Sequence, residues 1–253
     1  MSKVVLLSGG MDSVLAFLLT KEKHPDTIGL WVDLGQPYSE KEYRVIKRLR
    51  KTYGASSIKT IDCPIISDEN DNVPTIKNQV IPGRNLTLAV IAANYGDEIY
   101  LCALDGEMHD LMPDKNQAFF DKTSEALTQA YGKPITVSTP FAEMTKAELI
   151  AEALLEGIPV SDILTTSTCY HPVIPRCGEC SACLKRWIAL TLNFIEEDYT
   201  THPPSSTYAQ KYKREIKQAW DRQDFSHYSE KRLLETMRAF GMNDTLPMFP
   251  EDI

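Results

Sequence analysis

Two stretches of the chain bring together residues whose types and spacing can do chemistry. The first is Ser8-Gly9-Gly10-Met11-Asp12-Ser13, which follows the apolar run Val4 to Leu7. A glycine-rich turn between a buried strand and a helix leaves backbone N–H groups converging on one spot. The helix dipole adds positive potential there, so such a turn can hold phosphate. Gly9 and Gly10 permit the tight turn and the close approach of a ligand. Ser8 and Ser13 can add hydroxyl donors, and Asp12 can hold a magnesium ion or orient a ligand. The lysine of the G-x-x-x-x-G-K-[ST] loop is absent, which argues against that kind of nucleoside triphosphatase cradle. The second stretch is CYHPVIPRCGECSAC, which contains Cys169, Cys177, Cys180 and Cys183. The two short spacers let one turn present three thiolates while the fourth closes a tetrahedron, as structural zinc requires. Four thiolates fill the coordination shell and leave no open position for a metal-bound water, so the expected role is architectural. An iron–sulfur cluster can also use four thiolates, and zinc is the expectation. His171 lies inside the cluster and is read as a loop residue, while the isolated Cys63 and Cys102 are read as core residues.

Both stretches need a scaffold, and the intervening sequence alternates strand-like with helix-like segments. Val4 to Leu7 is a continuous apolar run, as expected of a strand buried on both faces, and Val14 to Thr20 continues as a helix. Ile28 to Asp33 reads as a second strand. The pattern then predicts a helix with Ser39 as N-cap, Glu42 completing a capping box and Gly54 as its stop. Ile58 to Ile61, Ile99 to Leu104 and Ile135 to Val137 read as three further strands. Between them Asn85 and Asp114 are placed to cap helices, the second ending near Gly132. Thr145 and Glu148 form another capping box, opening a helix that stops at Gly157 before Pro159. This alternation implies an α/β fold, a doubly wound parallel sheet with helices on both faces. Residues 67–82 are polar and interrupted, and read as a loop over the carboxyl edge of the sheet, where such folds bind ligands. Beyond Asp198, THPPSS reads as a linker into a helical tail from Tyr208 to Phe240.

Composition bounds the function. The 253 residues are 43% hydrophobic and 25% charged, enough for one large domain or a domain with an appendage. The longest apolar runs fall short of the roughly 20 residues a membrane helix needs, and the N-terminal sequence lacks a secretory pattern, so the expected address is cytoplasmic. In a reducing compartment six cysteines are poor disulfide material. A net charge of −8 argues against a protein whose main work is gripping a phosphate backbone. The tail from Ser205 to Arg232 carries seven Lys and Arg against four Asp and Glu, and is read as a solvated packing helix rather than a nucleic-acid arm.

The loop SGGMDS resembles the pyrophosphate loop of the ATP pyrophosphatase (PP-loop) superfamily, whose members bind ATP, transfer AMP to a substrate and release pyrophosphate. The two stretches in this order resemble the 7-cyano-7-deazaguanine synthase (QueC) family across about residues 3–197. Further matches are DLGQ at Asp33 to Gln36, PGRN at Pro82 to Asn85, the Pro113 and Asp114 pair, TKAEL at Thr145 and TCY at Thr168 to Tyr170. The resemblance implies adenylation of the carboxylate of 7-carboxy-7-deazaguanine with ATP, displacement of AMP by ammonia, and in most members dehydration of the amide to the nitrile. It also implies one zinc at the four cysteines, a homodimer, and nucleotide contacts from Asp33, Gln36, Arg84 and Asn85. Arg84 is expected to neutralise a phosphate or carboxylate. Lys185 and Arg186 are read equally as nucleotide contacts or as an exposed helix end. The sequence departs from the family where DLGQPY stands for the usual DYGQRH and MPDKN for YPDCR, so Leu34, Pro37, Tyr38, Lys115 and Asn116 alter a region associated with substrate handling. The expected domains are 1–165 for ATP binding, 166–198 for zinc and 199–253 for a linker and helical extension.

Other readings stay open at this stage. QueC-like members of bacterial antiviral operons conjugate a deazaguanine to an amine of a partner protein, which would keep the activation step and change the acceptor. Other pyrophosphatase-loop enzymes adenylate and thiolate a tRNA base, which needs a reactive cysteine near the loop and a basic surface. A degenerate nucleotide-binding module whose metal knuckle docks a partner is the non-catalytic alternative.

Overall fold

The computed structural model describes residues 2–36, 38–64, 83–105, 114–171 and 174–242. The loop expected over 67–82, with Pro37, Pro82 and Pro113, lies outside the described residues. The chain divides into two compact units: Met1–Glu143 with Leu155–Ser167, and Met144–Leu154 with Thr168–Ile253. This division differs from boundaries at 165 and 198, because the helix opened by the Thr145 capping box belongs with the C-terminal residues.

The first unit is a five-stranded parallel sheet. Strands β1 (Lys3–Leu7), β2 (Ile28–Asp33), β3 (Ile58–Asp62), β4 (Glu98–Tyr100) and β5 (Thr136–Ser138) stand in the order β3-β2-β1-β4-β5. Val4 lies opposite Ile28 on one side of β1 and opposite Ile99 on the other. Because side chains alternate along a strand, β1 feeds two cores. Val4 and Leu6 join Leu30, Val32 and Ile99 on one face, where Ala89 and Ala92 of α3 (Arg84–Ala92) and Phe120 and Leu127 of α4 (Gln117–Tyr131) cover them. Val5 and Leu7 join Trp31 on the other face. There Val14 and Phe17 of α1 (Met11–Lys23) and Val45, Ile46 and Leu49 of α2 (Ser39–Tyr53) cover them. Each fully buried apolar side chain of this kind stabilises the fold by about 1.5–3 kcal/mol. The direction of winding reverses between β1 and β4, and the carboxyl ends of those strands form the crevice where doubly wound sheets bind ligands.

Several local expectations are corrected. α2 is preceded by Tyr38 as N-cap with no side-chain cap, and Glu42 is engaged by Trp31 and Gln36 rather than in a capping box. α3 has Gly83 as N-cap, and Asn85 donates instead to the Asp114 carbonyl at 3.1 Å. Asn116, not Asp114, caps α4 by accepting from Phe119 N. The strand expected over Ile99 to Leu104 is a ladder only to Tyr100, because its neighbour β5 is three residues long. Beyond it the Thr139 hydroxyl takes over, accepting from Ala103 N at 3.0 Å and donating to Ala103 O at 2.7 Å. The Thr145–Glu148 capping box forms as expected, with reciprocal bonds of 2.7 and 3.1 Å at the start of α5 (Lys146–Leu155). α6 (Val160–Leu164) completes the first unit.

The second unit packs helices. Leu184 and Ile188 of α7 (Ser181–Thr191), Tyr212 and Ile216 of α8 (Thr207–Asp221), and Leu233 and Met237 of α9 (Glu230–Ala239) form one core. The tail read as one helix is therefore two. Each has its own N-cap, Ser206 accepting from Ala209 N and Ser229 accepting from Arg232 N.

Candidate active site and metal centre

The loop after β1 is held by its own serines. Ser13 Oγ accepts from Ser8 N at 3.1 Å, lies 3.0 Å from Ser8 Oγ, and donates to Gly10 O at 3.1 Å. Gly9 adopts φ +65°, and a Cβ there would meet the Glu42 backbone oxygen and Cα at 3.0 and 3.1 Å, so both conformation and space require glycine. The Gly9 carbonyl accepts from Ser167 N at 2.7 Å, which fixes the turn from its other side. Gly10 is the N-cap of α1 and makes no side-chain cap hydrogen bond, while its own N–H donates to Ser8 Oγ at 3.4 Å. Asp12 lies in that first turn.

These residues border a cavity of about 270 Å³ at the carboxyl ends of β1, β2 and β4. Of the residues expected at a nucleotide site, Ser8, Gly10, Asp12, Ser13, Gln36, Arg84 and Asn85 line it. Gly9, Met11 and Asp33 are not among its lining residues. Met11 is 2% exposed and packs inward, and Asp33 Oδ1 accepts from Gly35 N at 2.9 Å. Arg84 Nη1 donates to Tyr38 Oη at 3.0 Å, so two of the polar side chains that line the cavity are coupled to each other. Leu34 is 2% exposed and also lines the cavity, as do Tyr38 and Lys115. Cys102, expected to be a core residue, is half-buried and reaches the cavity wall.

Glu42 is a lining residue that local sequence pattern assigned elsewhere. Its Oε2 accepts from Trp31 Nε1 and from Gln36 Nε2, both at 3.0 Å. Burial pushes its carboxyl up from 4.5 to about 7, and the bonds from Trp31 and Gln36 and the charge of Arg84 only partly oppose that rise. The tryptophan two residues before Asp33 and the glutamine of DLGQ are the signals that could have found it.

In the second unit the sulfur atoms of Cys169, Cys177, Cys180 and Cys183 all lie within 4.8 Å of one another, so the four form a group that could hold a metal ion. Four sulfur donors at that spacing fit a tetrahedral thiolate site. Backbone N–H groups point at the sulfurs: His171 N at Cys169, Glu179 N at Cys177 and Cys183 N at Cys180, each at 3.4 Å. Such donors favour thiolates over thiols. Hydrogen bonds from Cys180 and Cys183 draw the Cys169 thiol far down, while the same crowding pushes Cys183 up. The His171 side chain is not part of the group. Gly178 has φ +76°, and a Cβ there would lie 1.7 Å from the Thr201 carbonyl oxygen, so the strand-like return of 199–201 closes over the knuckle. Arg186 is neither exposed nor at a helix end. It is 0% exposed within α7 and holds Glu197 through two bonds of 2.7 and 2.8 Å, with Arg176 on the same carboxylate at 3.0 Å. These partners hold the Glu197 carboxyl below its ordinary value in spite of burial.

No described helix is long and apolar enough to cross a membrane. The family model described as queuosine biosynthesis protein QueC matches residues 2–194. The 7-cyano-7-deazaguanine synthase of Sulfurihydrogenibium sp. is 30% identical over 218 residues, covering 76% of this chain and 96% of its own. The 7-cyano-7-deazaguanine synthase of Marinobacter nauticus is 27% identical over 218 residues, covering 78% and 95%. A U34-tRNA thiolase from Methanococcus maripaludis, solved with its 4Fe–4S cluster, is similar at a TM-score of 0.45 and 12% identity over 98% of this chain and 74% of that one, a likeness too slight to bear on chemistry. The family match runs from the glycine loop through all four clustered cysteines, and the chain belongs to the QueC family, within the ATP-using PP-loop class of enzymes.

Proposed function

We propose that the protein uses ATP to convert the carboxylate of 7-carboxy-7-deazaguanine into an acyl adenylate and passes the acyl group to a nitrogen nucleophile, giving the amide and, by a second activation, the nitrile 7-cyano-7-deazaguanine. The observation that carries this reading is the glycine-led start of α1 bordering a cavity at the β1–β4 crevice, in a member of the QueC family. A carboxylate is a poor electrophile at neutral pH, and transfer of AMP gives it a leaving group whose charge fixed donors can stabilise. In this reading the loop amides from Gly9 to Ser13, with the Ser8 and Ser13 hydroxyls, hold the pyrophosphate end of ATP. Asp12 would hold magnesium, which supplies charge neutralisation between the phosphates when bound. Arg84 meets a phosphate or the substrate carboxylate, kept in place by Tyr38. Asp33, Gln36 and Asn85 support the walls, Asp33 through the Gly35 turn rather than by touching ligand. The four cysteines hold zinc as a closed structural site, and two chains form the working unit.

The test is mass spectrometry of products after incubation of the purified protein with ATP, magnesium and 7-carboxy-7-deazaguanine, with and without ammonium. The amide or nitrile appearing together with AMP is the expected result. Adenylate without either product would move the acceptor to an amine on a partner protein. No AMP under any of these conditions would overturn the proposal.

A further inference from the structure

The reaction above needs a group that removes a proton from the attacking nitrogen, and the phosphate-holding residues do not supply one. Glu42 stands where such a group is required. It sits in the first turn of α2 directly beneath the glycine loop, close enough that its backbone forbids a side chain at Gly9. Both of its hydrogen bonds fall on one oxygen: Trp31 Nε1 and Gln36 Nε2 each donate to Oε2. Trp31 and Gln36 are themselves 3% and 7% exposed, so the carboxylate is held in one orientation by a rigid pair of donors. With both bonds on Oε2, Oε1 is the oxygen that remains to meet a ligand in the cavity that Glu42 lines.

We propose that Glu42, through Oε1, is the proton acceptor for the nitrogen nucleophile in the acyl-transfer step; this rests on the adenylating function proposed above. The nitrogen lone pair forms the C–N bond, and the bond between the acyl carbon and the phosphoryl oxygen breaks with its electron pair leaving on AMP. The proton lost by nitrogen passes to Glu42, and nothing is oxidised or reduced. The other acids of the site are less suited. Asp12 is committed to the phosphates, Asp33 spends an oxygen on Gly35 and is off the cavity, and among the described residues no hydrogen bond orients the Asp114 carboxylate. The charged groups that Glu42 faces are Arg84 from α3 and Asp33 from β2, with Asp12, Asp114 and Lys115 on the same cavity. Burial leaves the Glu42 carboxyl titrating at about 7, which matches a base to its working pH.

The experiment compares wild type with Glu42→Gln in two assays: ATP–pyrophosphate exchange supported by 7-carboxy-7-deazaguanine, and amide formation at fixed free ammonia across pH 5.5 to 9. Gln keeps an oxygen for Trp31 and Gln36 but cannot take the proton. Amide formation is expected to fall by about 100-fold or more, at least ten times further than exchange, and the limb that rises through about pH 7 in wild type is expected to vanish. Glu42→Asp, which retains a carboxylate, is expected to keep that limb at a lower rate, and it carries the test if the Gln variant does not fold. Equal falls in exchange and amide formation, or a Gln variant with wild-type amide formation, would overturn the assignment. Wild type that supports neither assay with this carboxylate removes the adenylating reading, and the role of Glu42 with it.

Discussion

Two helix starts in this molecule are built from the same ingredients and end differently. α1 is entered through Gly9 and Gly10, and α7 is entered through Gly178 and Cys180, each after a glycine with positive φ. At α7 the N-cap side chain closes the helix, with Cys180 Sγ accepting from Cys183 N, and all four sulfurs turn toward one point. At α1 the N-cap is Gly10 with no side chain to offer, and the loop serines bond to each other and to the Gly10 backbone, Ser13 Oγ donating to Gly10 O and Ser8 Oγ accepting from Gly10 N. A start closed by its own N-cap side chain is finished structure, whereas one led by glycine beside a cavity lets a ligand approach the helix N-terminus closely. The difference agrees with the proposed roles, architecture for the cysteine knuckle and chemistry for the glycine loop, and those roles can be broken.

The largest effect is expected at the knuckle. With the four cysteines holding the proposed zinc, chelation, or Cys183→Ser at a fully buried member of the group, should lower Tm by more than about 10 °C by calorimetry, because a structural metal contributes folding free energy of several kcal/mol. A shift under about 2 °C would mean that the cluster is not holding the second unit together. Next is Arg186→Met, which leaves the buried Glu197 with Arg176 as its remaining ion-pair partner among the described residues. Breaking such a pair costs about 3–5 kcal/mol, read as a fall in the urea midpoint, with activity per folded molecule unchanged.

The glycine loop offers a sharper contrast within three atoms of backbone. Gly9→Ala meets both the positive φ and the α2 backbone, so it should destabilise the fold by about 1–3 kcal/mol. Gly10 has φ −72°, open to any residue, and a Cβ there lies 3.2 Å from Ser8 Oγ, which can rotate away. Gly10→Ala should therefore change stability by no more than about 0.5 kcal/mol while weakening ATP binding at least tenfold. Equal binding by the two variants, measured by calorimetric titration, would deny the loop its ligand.

The same pair of glycines shows why much of this protein could be read from sequence. Strands buried on both faces are continuous apolar runs, and a cysteine spacing is a geometric statement, so β1 to β3 and the four-sulfur group were legible. Side-chain partnerships were not. Ser39-x-x-Glu42 and Thr145-x-x-Glu148 are the same local pattern, and only the second forms the capping box. At Glu42 two donors from β2 and the loop after it claim the carboxylate, and they are brought near only by the β2–α2 packing. Asn116 displaced Asp114 as a cap for a related reason, since the Asp114 carbonyl is held by Asn85, 29 residues earlier. The tail looked like one helix because its charge pattern is continuous. It breaks where Gln223 takes φ +54° and Asp224 bonds Ser226, a turn that local propensity does not force.

The last effect is also the most specific, since it separates a cavity carboxyl from one that merely caps a helix. Glu42 in the folded protein titrates at about 7 instead of 4.5, so between those values the folded chain keeps a proton that the unfolded chain releases. Stability contributed by that proton is fully present below pH 4.5, declines as pH rises toward 7, and is gone above it. Glu42→Gln carries no titrating group, so its stability relative to wild type should rise across the same window and then level off, by about 1–2 kcal/mol once the partial exposure of the side chain is allowed for. Urea midpoints of the two proteins at pH 5 and pH 8 read the difference directly, with all other carboxyls common to both. A capping carboxylate would give the opposite sign, because its ionised form is the one that stabilises the helix start, and the Gln variant would then lose ground as pH rises.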